Sequence, residues 1–438
     1  MKDAFFELAA VLERELRAGE ALLCEFSAER SDFVRFNRGR VRQPGSVEQR
    51  HLSLRLVRDR RQADATLAVG GDGSDLDQAR IMLERLRDML PALPEDPWLM
   101  LAETPQSTTT ARCGAPVPAE AVTEEIVARA GGADLVGIYA AGTIYRGFAN
   151  SYGQRNWHEV DSFNFDWSLH LEVDQAVKAR YAGFEWESTE FQARLEAAQR
   201  ELALLARPRR TLEPGEYRAY VTPQALEDLT GLMAWGGFSA RARQTRQSPL
   251  LRLEHGETLA ASITLRENTA EGIAPPFQAE GFIKPANVTL IEHGRLADAL
   301  VSPRSAREYG LTPNGADGSE SPESFDMAGG ELPVAEALAA LDSGLYIGNL
   351  WYLNYSDRPA ARVTGMTRFA TFWVEGGRIV APVNVMRFDD SIYRILGVNL
   401  AGLTREREFL LDASTYGARS THSARLPGAL LSALRLTL

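Results

Sequence analysis

Cysteine is scarce in this chain of 438 residues, which contains only Cys24 and Cys113. Without a CxxC pair, the sequence indicates neither a disulfide framework nor a zinc site built from thiolates. Two isolated thiols suit a reducing compartment, so we expect a cytoplasmic location. The chain also lacks any run of about 18 uncharged apolar residues, which a membrane-spanning helix would need. We therefore expect no membrane contact.

Histidine is scarce as well, with six residues, no two of which lie within five positions of each other. Zinc peptidase motifs such as HExxH place two histidines on one face of a helix. The sequence has neither HExxH nor HExxxH. His158 and Glu159 look like the start of one, but Ser162 and Phe163 follow where a second histidine would stand, and the segment has the character of a strand. The sequence therefore predicts no catalytic residue and no metal ligand in this chain.

Composition and charge are those of an ordinary globular protein, with 45% hydrophobic residues, 24% charged residues and a formal net charge of −11. The net negative charge disfavours binding to nucleic acid, because such binding depends on releasing counterions from phosphates. The length is sufficient for two domains with their own cores. We therefore expect a two-domain protein without a nucleic-acid partner.

Apolar periodicity predicts one order of elements twice in the first half of the chain. Residues 163–171 alternate most clearly, and Asn164, Asp166, Ser168 and His170 share the polar face. We interpret the pattern as a duplicated α-β-β-β-β-α unit. The predicted elements of the first copy are a helix at 3–18, strands at 21–28, 32–43, 49–58 and 62–69, and a helix carrying Leu76 to Leu90. Those of the second copy are a helix at 119–130, strands at 134–140, 143–151, 163–174 and 177–185, and a helix carrying Phe191 to Leu205.

The second half of the chain is predicted to be rich in strands. Proline and glycine cluster at 207–215, which indicates a boundary between a domain at 1–208 and a domain at 209–438. Phe372 and Trp373 are strand formers, and Gly376-Gly377 is a typical two-residue hairpin turn. The predicted fold class is α+β, with a duplicated N-terminal domain followed by a β-rich C-terminal domain.

The tract from Gly344 to Gly397 resembles the C-terminal domain of the TldD/PmbA family of zinc-metallopeptidase-related proteins. A family hairpin of the form FWVEGG.I..PV matches Phe372 to Val383, and a preceding GLY segment matches Gly344 to Tyr346. Other segments are similar to a turn, a helix and an early hairpin of the family: GIAPPFQAEG at 272–281, SAREYGL at 305–311 and RFNRGRV at 35–41.

The resemblance also implies which branch of the family the chain belongs to. In the catalytic branch, HExxxH on a helix early in the C-terminal domain and a distant cysteine near the C-terminus bind zinc. When the sequences are aligned on Pro223, the motif positions fall on Asp228, Leu229 and Met233, and no cysteine follows Gly397. The resemblance therefore implies a zinc-free, TldE/PmbA-like subunit that is inactive alone and needs no cofactor of its own.

Membership of the zinc-free branch also implies which partners the chain has. We expect a TldD-like zinc peptidase subunit as the partner, with zinc in that partner, and the complex would process or degrade unfolded peptides. A homodimer is also possible. Two alternatives stay open: a peptide-binding or scaffold homo-oligomer without a proteolytic role, and a hydrolase that uses non-metal residues.

A segment rich in aromatic and hydrogen-bonding side chains is the candidate peptide-binding surface. Such groups on a loop can hold an extended chain by stacking and backbone contacts. The alternative is a packed loop or a subunit interface. The candidate residues are Asn349, Trp351, Tyr352, Asn354, Tyr355, Asp357 and Arg358.

Overall fold

The first half of the chain forms a seven-stranded sheet with helices on one face. The computed structural model describes residues 1–114, 118–172 and 175–437. The elements of this half are α1 (Lys2–Arg14), β1 (Glu20–Asn37), β2 (Arg40–Arg58), β3 (Arg61–Ala68), α2 (Ser74–Met89), β4 (Ser107–Arg112), α3 (Ala119–Ala130), β5 (Asp134–Asn150), β6 (Arg155–Glu172), β7 (Gln175–Gly183) and α4 (Ser188–Leu205).

The duplication predicted from the sequence is visible in the order of this sheet. Strands β1 and β5 pair antiparallel at its centre, β2 and β3 continue on one side, and β6 and β7 continue on the other. Strand β4 runs parallel to the first residues of β6. Helices α1 and α2 pack on the first copy, and α3 and α4 pack on the same face of the second.

Each copy contains three strands, so the prediction of four strands is wrong. The sequence predicted a break in β1 at the polar residues Glu29 to Ser31, yet Glu29 and Ser31 are buried within one continuous strand. The predicted strands 134–140 and 143–151 leave a break at 141–142, but Gly142, with a φ of +138°, lies within the continuous strand β5. A Cβ there would lie 2.1 Å from the carbonyl oxygen of Arg30, so only glycine permits this approach of β1 and β5.

The second half forms a thirteen-stranded sheet around its own core. Strand β20 (Ser423–Leu436) lies at its centre and pairs with four strands: β8 (Gly215–Val221), β12 (Ser324–Met327), β18 (Met386–Ser391) and β19 (Leu400–Leu411). The elements are β8 (Gly215–Val221), α5 (Pro223–Ala234), α6 (Ala240–Gln244), α7 (Leu251–Glu254), β9 (Leu265–Glu267), β10 (Val288–Glu292), β11 (Arg295–Leu296), α8 (Pro303–Tyr309), β12 (Ser324–Met327), α9 (Ala337–Leu341), β13 (Gly344–Ile347), β14 (Leu350–Asp357), β15 (Arg362–Thr367), β16 (Thr371–Glu375), β17 (Arg378–Pro382), β18 (Met386–Ser391), β19 (Leu400–Leu411) and β20 (Ser423–Leu436).

The hairpin predicted at Gly376-Gly377 is present between β16 and β17. Glu375 pairs with Arg378, and the two glycines have φ values of +55° and +71°, as a type I′ turn requires.

The α+β class is confirmed. The first sheet ends with β7 and the second begins with β8, while the division at residue 208 stays a prediction. Among the helices of the described residues, none is long and apolar enough to cross a membrane.

Candidate functional site

The polar face of the seven-stranded sheet is covered by the C-terminal half. The predicted alternation along β6 is confirmed, since Phe163, Phe165 and Trp167 enter the helix-side core. On the opposite face, Arg419 from the segment before β20 is buried and donates hydrogen bonds to the carbonyl oxygens of Gly142 (2.9 Å) and Ser162 (2.8 Å). Burial lowers the pKa of Arg419 to about 10. This buried arginine joins the two halves.

His158 makes a second contact between the halves. Its Nε2 lies 3.1 Å from the carbonyl oxygen of Ile273, and its Nδ1 lies 2.8 Å from the hydroxyl oxygen of Thr110. Because a carbonyl can only accept, Nε2 carries the proton and Nδ1 accepts from Thr110. Burial lowers the pKa of His158 to about 4. His158 is therefore a neutral structural histidine.

On the same face of the sheet, a cavity of about 610 Å³ separates the sheet from α5 and β14. Ser168, Lys178 and Arg180 project into it from β6 and β7, and Glu227 and Asp228 project from α5. The register of β6 and β7 brings the residues of the sheet together. Ser168 pairs with Lys178, and Asp166 pairs with Arg180, so their side chains lie on one face. The cavity is thus built from charged residues of both halves.

A second cavity, of about 960 Å³, adjoins the first and shares Lys178 and Arg180 with it. It lies between α4 and the strands β8, β13 and β19, and β7 runs along it with Val177, Lys178, Ala179 and Arg180. We call the two cavities together the central groove. At this size the groove can hold several residues of an extended peptide.

The cations of the central groove are held by carboxylates. Arg180 forms ion pairs with Asp166 (2.9 Å) and with Glu227, and Lys178 lies 3.8 Å from Asp166. Burial raises the pKa of Asp228 to about 6, although Arg180 and Lys178 oppose the shift. Asp228 is therefore partly protonated near neutral pH.

A carboxyl and a phenol face each other in the larger cavity. The hydroxyl of Tyr346 donates to Oε1 of Glu201 at 3.0 Å. Burial raises the pKa of Glu201 to about 7, and Tyr346 partly offsets the shift. Glu201 thus exchanges a proton near neutral pH, in a wall of the groove.

The positions that the resemblance aligns with the zinc motif do not fit a zinc ion. Helix α5 carries all three, but Leu229 and Met233 are buried in the apolar core of the C-terminal half. Only Asp228 reaches the groove. Among the described residues, no group of three histidine, cysteine, aspartate or glutamate side chains is arranged to hold a metal ion. Zinc prefers nitrogen and sulfur ligands in a tetrahedral set, which α5 does not supply.

The seven predicted peptide-binding residues do not form a loop, so that part of the prediction is wrong. Residues Leu350–Asp357 form β14, which pairs antiparallel with β15 and has irregular register after Trp351 and Tyr355. Strand formers outweigh the polar residues between them, and the turn begins only where Asp357, Arg358 and Pro359 follow one another. The candidate surface is an exposed strand.

Three of the seven residues border the central groove, namely Asn349, Trp351 and Tyr352. Trp351 and Tyr352 are 39% and 76% exposed, and their ring centroids are 5.4 Å apart. Arg368 lies over the Trp351 ring at 4.4 Å. Asn349 is buried and donates to Gln224. The groove therefore has an aromatic rim.

The other four residues, Asn354, Tyr355, Asp357 and Arg358, lie further along β14 and in its turn. The Tyr355 hydroxyl donates to the carbonyl oxygen of Leu232 at 2.7 Å, and Arg358 donates to that of Trp235 at 2.6 Å. Arg358 also lies over the rings of Trp235 and Tyr355. Tyr355 and Arg358 thus fasten β14 to the end of α5.

Sequence reasoning did not select Lys178, Arg180 and Glu227. A signal was available, because the polar alternation of β6 has a counterpart in Lys178 and Arg180 of β7. A strand that is apolar on one side and charged on the other, paired with a similar strand, indicates a polar surface that another element covers.

Comparison with known proteins gives one family. The family model described as the PmbA/TldA metallopeptidase C-terminal domain matches residues 214–437, just over half of the chain. Among curated proteins, none matches the sequence significantly.

Three solved structures share the fold along almost the whole chain. TldE from Thermococcus kodakarensis has a TM-score of 0.79 at 14% identity, covering 99% of this chain and 100% of its own. A candidate modulator of a DNA gyrase from Thermotoga maritima has a TM-score of 0.78 at 15% identity, covering 99% of both chains. A second candidate gyrase modulator, from Bacteroides thetaiotaomicron, has a TM-score of 0.74 at 16% identity, covering 100% of this chain and 98% of its own. At these identities the likeness concerns the fold alone.

Proposed function

The chain belongs to the PmbA/TldD metallopeptidase family, and we propose that it is a TldE-like, non-catalytic subunit of a zinc peptidase complex acting on unfolded peptides. The observation that carries the proposal is α5. It lies where the resemblance places the zinc motif, and the positions aligned with the motif's two histidines hold Asp228, which faces the central groove, and Met233, which is buried in the core. In this proposal a TldD-like subunit supplies the zinc, and the complex is cytoplasmic.

The central groove supports a peptide as the ligand. Among the described strands, β7 pairs only with β6, so the other edge of β7 faces the groove without a partner strand. An extended peptide can add to such an edge through main-chain hydrogen bonds, which do not depend on the peptide's sequence. Arg194 already donates to the carbonyl oxygen of Arg180 at 3.1 Å, which shows that this edge accepts hydrogen bonds from the groove side.

The aromatic rim supports the same ligand. Trp351 and Tyr352 stand exposed at the mouth of the smaller cavity, where their rings can stack on peptide side chains. The buried carboxyls of Asp228 and Glu201 give the groove acceptors as well as proton donors near neutral pH, because their pKa values are raised to about 6 and about 7. Unfolded peptides offer both kinds of partner along their backbone.

The test combines purification with binding. The tagged chain is purified from its own host, and its zinc content and peptidase activity are measured alone and with any co-purifying family member. We expect an HExxxH-bearing homologue to co-purify in stoichiometric amount. We also expect the complex to hydrolyse peptides and the isolated chain not to. Stoichiometric zinc together with peptidase activity in the isolated chain would overturn the proposal.

Binding is measured by fluorescence anisotropy with a labelled, unstructured peptide of mixed sequence. Trp351→Ala/Tyr352→Ala should weaken binding roughly tenfold, since each aromatic contact contributes about 0.5–1.5 kcal/mol. Tyr416→Ala is the matched control, because Tyr416 is fully exposed and lies outside the groove lining. Peptide binding by a strict homo-oligomer that has no HExxxH partner would instead favour a peptide-binding scaffold.

A further inference from the structure

The hairpin that joins β1 to β2 carries four arginines at its tip. Arg35, Arg38, Arg40 and Arg42 are all exposed. Arg38 and Gly39 form the turn, with φ values of +52° and +64°. The tip is anchored by the amide of Gly39, which donates to the carbonyl oxygen of Leu135 at 3.0 Å. The arginines therefore stand on a fixed support.

None of these four guanidinium groups has an ion pair or a side-chain hydrogen bond within the part of the chain that the structure describes. Further along the same strands, Arg30 and Arg50 do pair, both with Glu48. The chain as a whole carries a formal net charge of −11. A concentration of unpaired positive charge on such a chain provides a local attraction for an anionic partner.

The hairpin also has a free strand edge and an adjacent cavity. Strand β2 pairs with β3 only from His51 onward, so the outer edge of residues 40–50 has no partner among the described strands. A cavity of about 280 Å³ lies at the base of the hairpin, with Phe33, Val47 and Ile138 in its lining beside Arg35. This volume has room for a side chain, which would contact the apolar groups of Phe33, Val47 and Ile138 beside the polar groups of Glu29 and Gln43.

We propose that the hairpin from Phe33 to Val47 binds an acidic, extended segment of a partner polypeptide that carries one apolar side chain. Carboxylates of the segment pair with the arginine forks, its backbone adds to the free edge of β2, and the apolar side chain enters the cavity. The free edge of β2 needs a peptide backbone as its partner, and the net charge of −11 disfavours a continuous phosphate backbone, so the surface favours a polypeptide over a nucleic acid.

The experiment uses the full chain and a labelled glutamate-rich peptide with a central leucine, followed by anisotropy at low and physiological salt. Arg40→Glu/Arg42→Glu should weaken binding at least tenfold, and replacing the leucine by alanine should weaken it as well. Arg85→Glu/Arg378→Glu is the matched control, because both residues are exposed and the change in formal charge is the same. This control should retain binding.

Three outcomes would overturn the proposal. The first is that the unmodified chain does not bind the peptide, which would leave the arginines as mere protection of a strand edge. The second is equal weakening by both double variants, which would indicate a general charge effect. The third is tighter binding of a DNA oligonucleotide that depends on Arg40 and Arg42. If peptides fail to bind the central groove, the results for the hairpin keep their meaning, because the hairpin lies outside the central groove.

Discussion

Replacing His158 by glutamine should remove a defined part of the pH dependence of stability. In the folded protein His158 is neutral, since Nε2 donates to Ile273 and Nδ1 accepts from Thr110. Burial, with a smaller contribution from the nearby cations Arg146 and Lys284, lowers its pKa to about 4, although the hydrogen bond to Ile273 opposes the shift. Unfolding exposes the ring and returns its pKa to about 6.5.

The direction in which stability changes with pH follows from the difference in proton binding between the folded and unfolded chains. Between pH 4 and 6.5 the unfolded chain binds a proton at His158 that the folded chain does not, so stability rises with pH in this window. The contribution is complete above about pH 6.5 and is lost as pH falls toward 4. A difference of about 2.5 pKa units corresponds to about 3 kcal/mol in total, of which about 2 kcal/mol is lost between pH 7.5 and pH 5.

The assay is urea unfolding of the unmodified chain and of His158→Gln at pH 7.5 and pH 5. The loss of unfolding free energy between the two pH values should be about 2 kcal/mol larger in the unmodified chain. Carboxyls with raised pKa values, such as Asp228 and Glu201, titrate in both proteins and cancel in this comparison. If the variant keeps the full pH dependence, His158 is not the group responsible, and the assignment of a neutral, buried histidine is refuted.

Two further predictions concern buried charges. Glu320 is fully buried and accepts from Ser239 Oγ (2.6 Å), the Arg241 amide (2.8 Å) and Ser302 (2.8 Å and 2.9 Å). Glu320→Gln should cost about 1–3 kcal/mol in urea unfolding, because an amide nitrogen cannot accept and one buried backbone amide loses its partner, and Glu320→Ala should cost more because both acceptor oxygens are lost. A glutamine variant of normal stability would contradict this. Arg419→Met should cost about 3–5 kcal/mol, because it leaves the buried carbonyl oxygens of Gly142 and Ser162 without their donor and removes the positive charge near the buried Glu29 carboxylate. Adding Glu29→Gln should recover part of that loss, and strictly additive losses would show that the two residues are not coupled.

Local signals predicted those elements whose own residues decide their conformation. The helix at 119–130 was predicted at its observed bounds. The Gly376-Gly377 hairpin was predicted as well, since both of its turn positions require positive φ. In each case the determining interactions lie within a few residues of sequence.

Strand lengths were mispredicted where burial overrode polarity. Glu29 and Ser31 look like the end of a strand, but β1 continues through them because Arg419, nearly four hundred residues later, lies over this part of the sheet. The same applies to β14, whose polar residues suggested a loop although β15 supplies its hydrogen-bonding partner. A local sequence pattern does not indicate that Arg419 packs on β1 or that β15 pairs with β14.

The sequence by itself determined the family, the absence of the HExxxH motif and the duplicated order of elements, because these depend on residue identity and spacing. Only the tertiary structure decided where the groove lies. It brought Lys178 and Arg180 of the first sheet against Glu227 and Asp228 of α5, and it placed three of the seven predicted peptide-binding residues at the rim. That arrangement depends on long-range packing between two sheets, which one-dimensional periodicity does not specify.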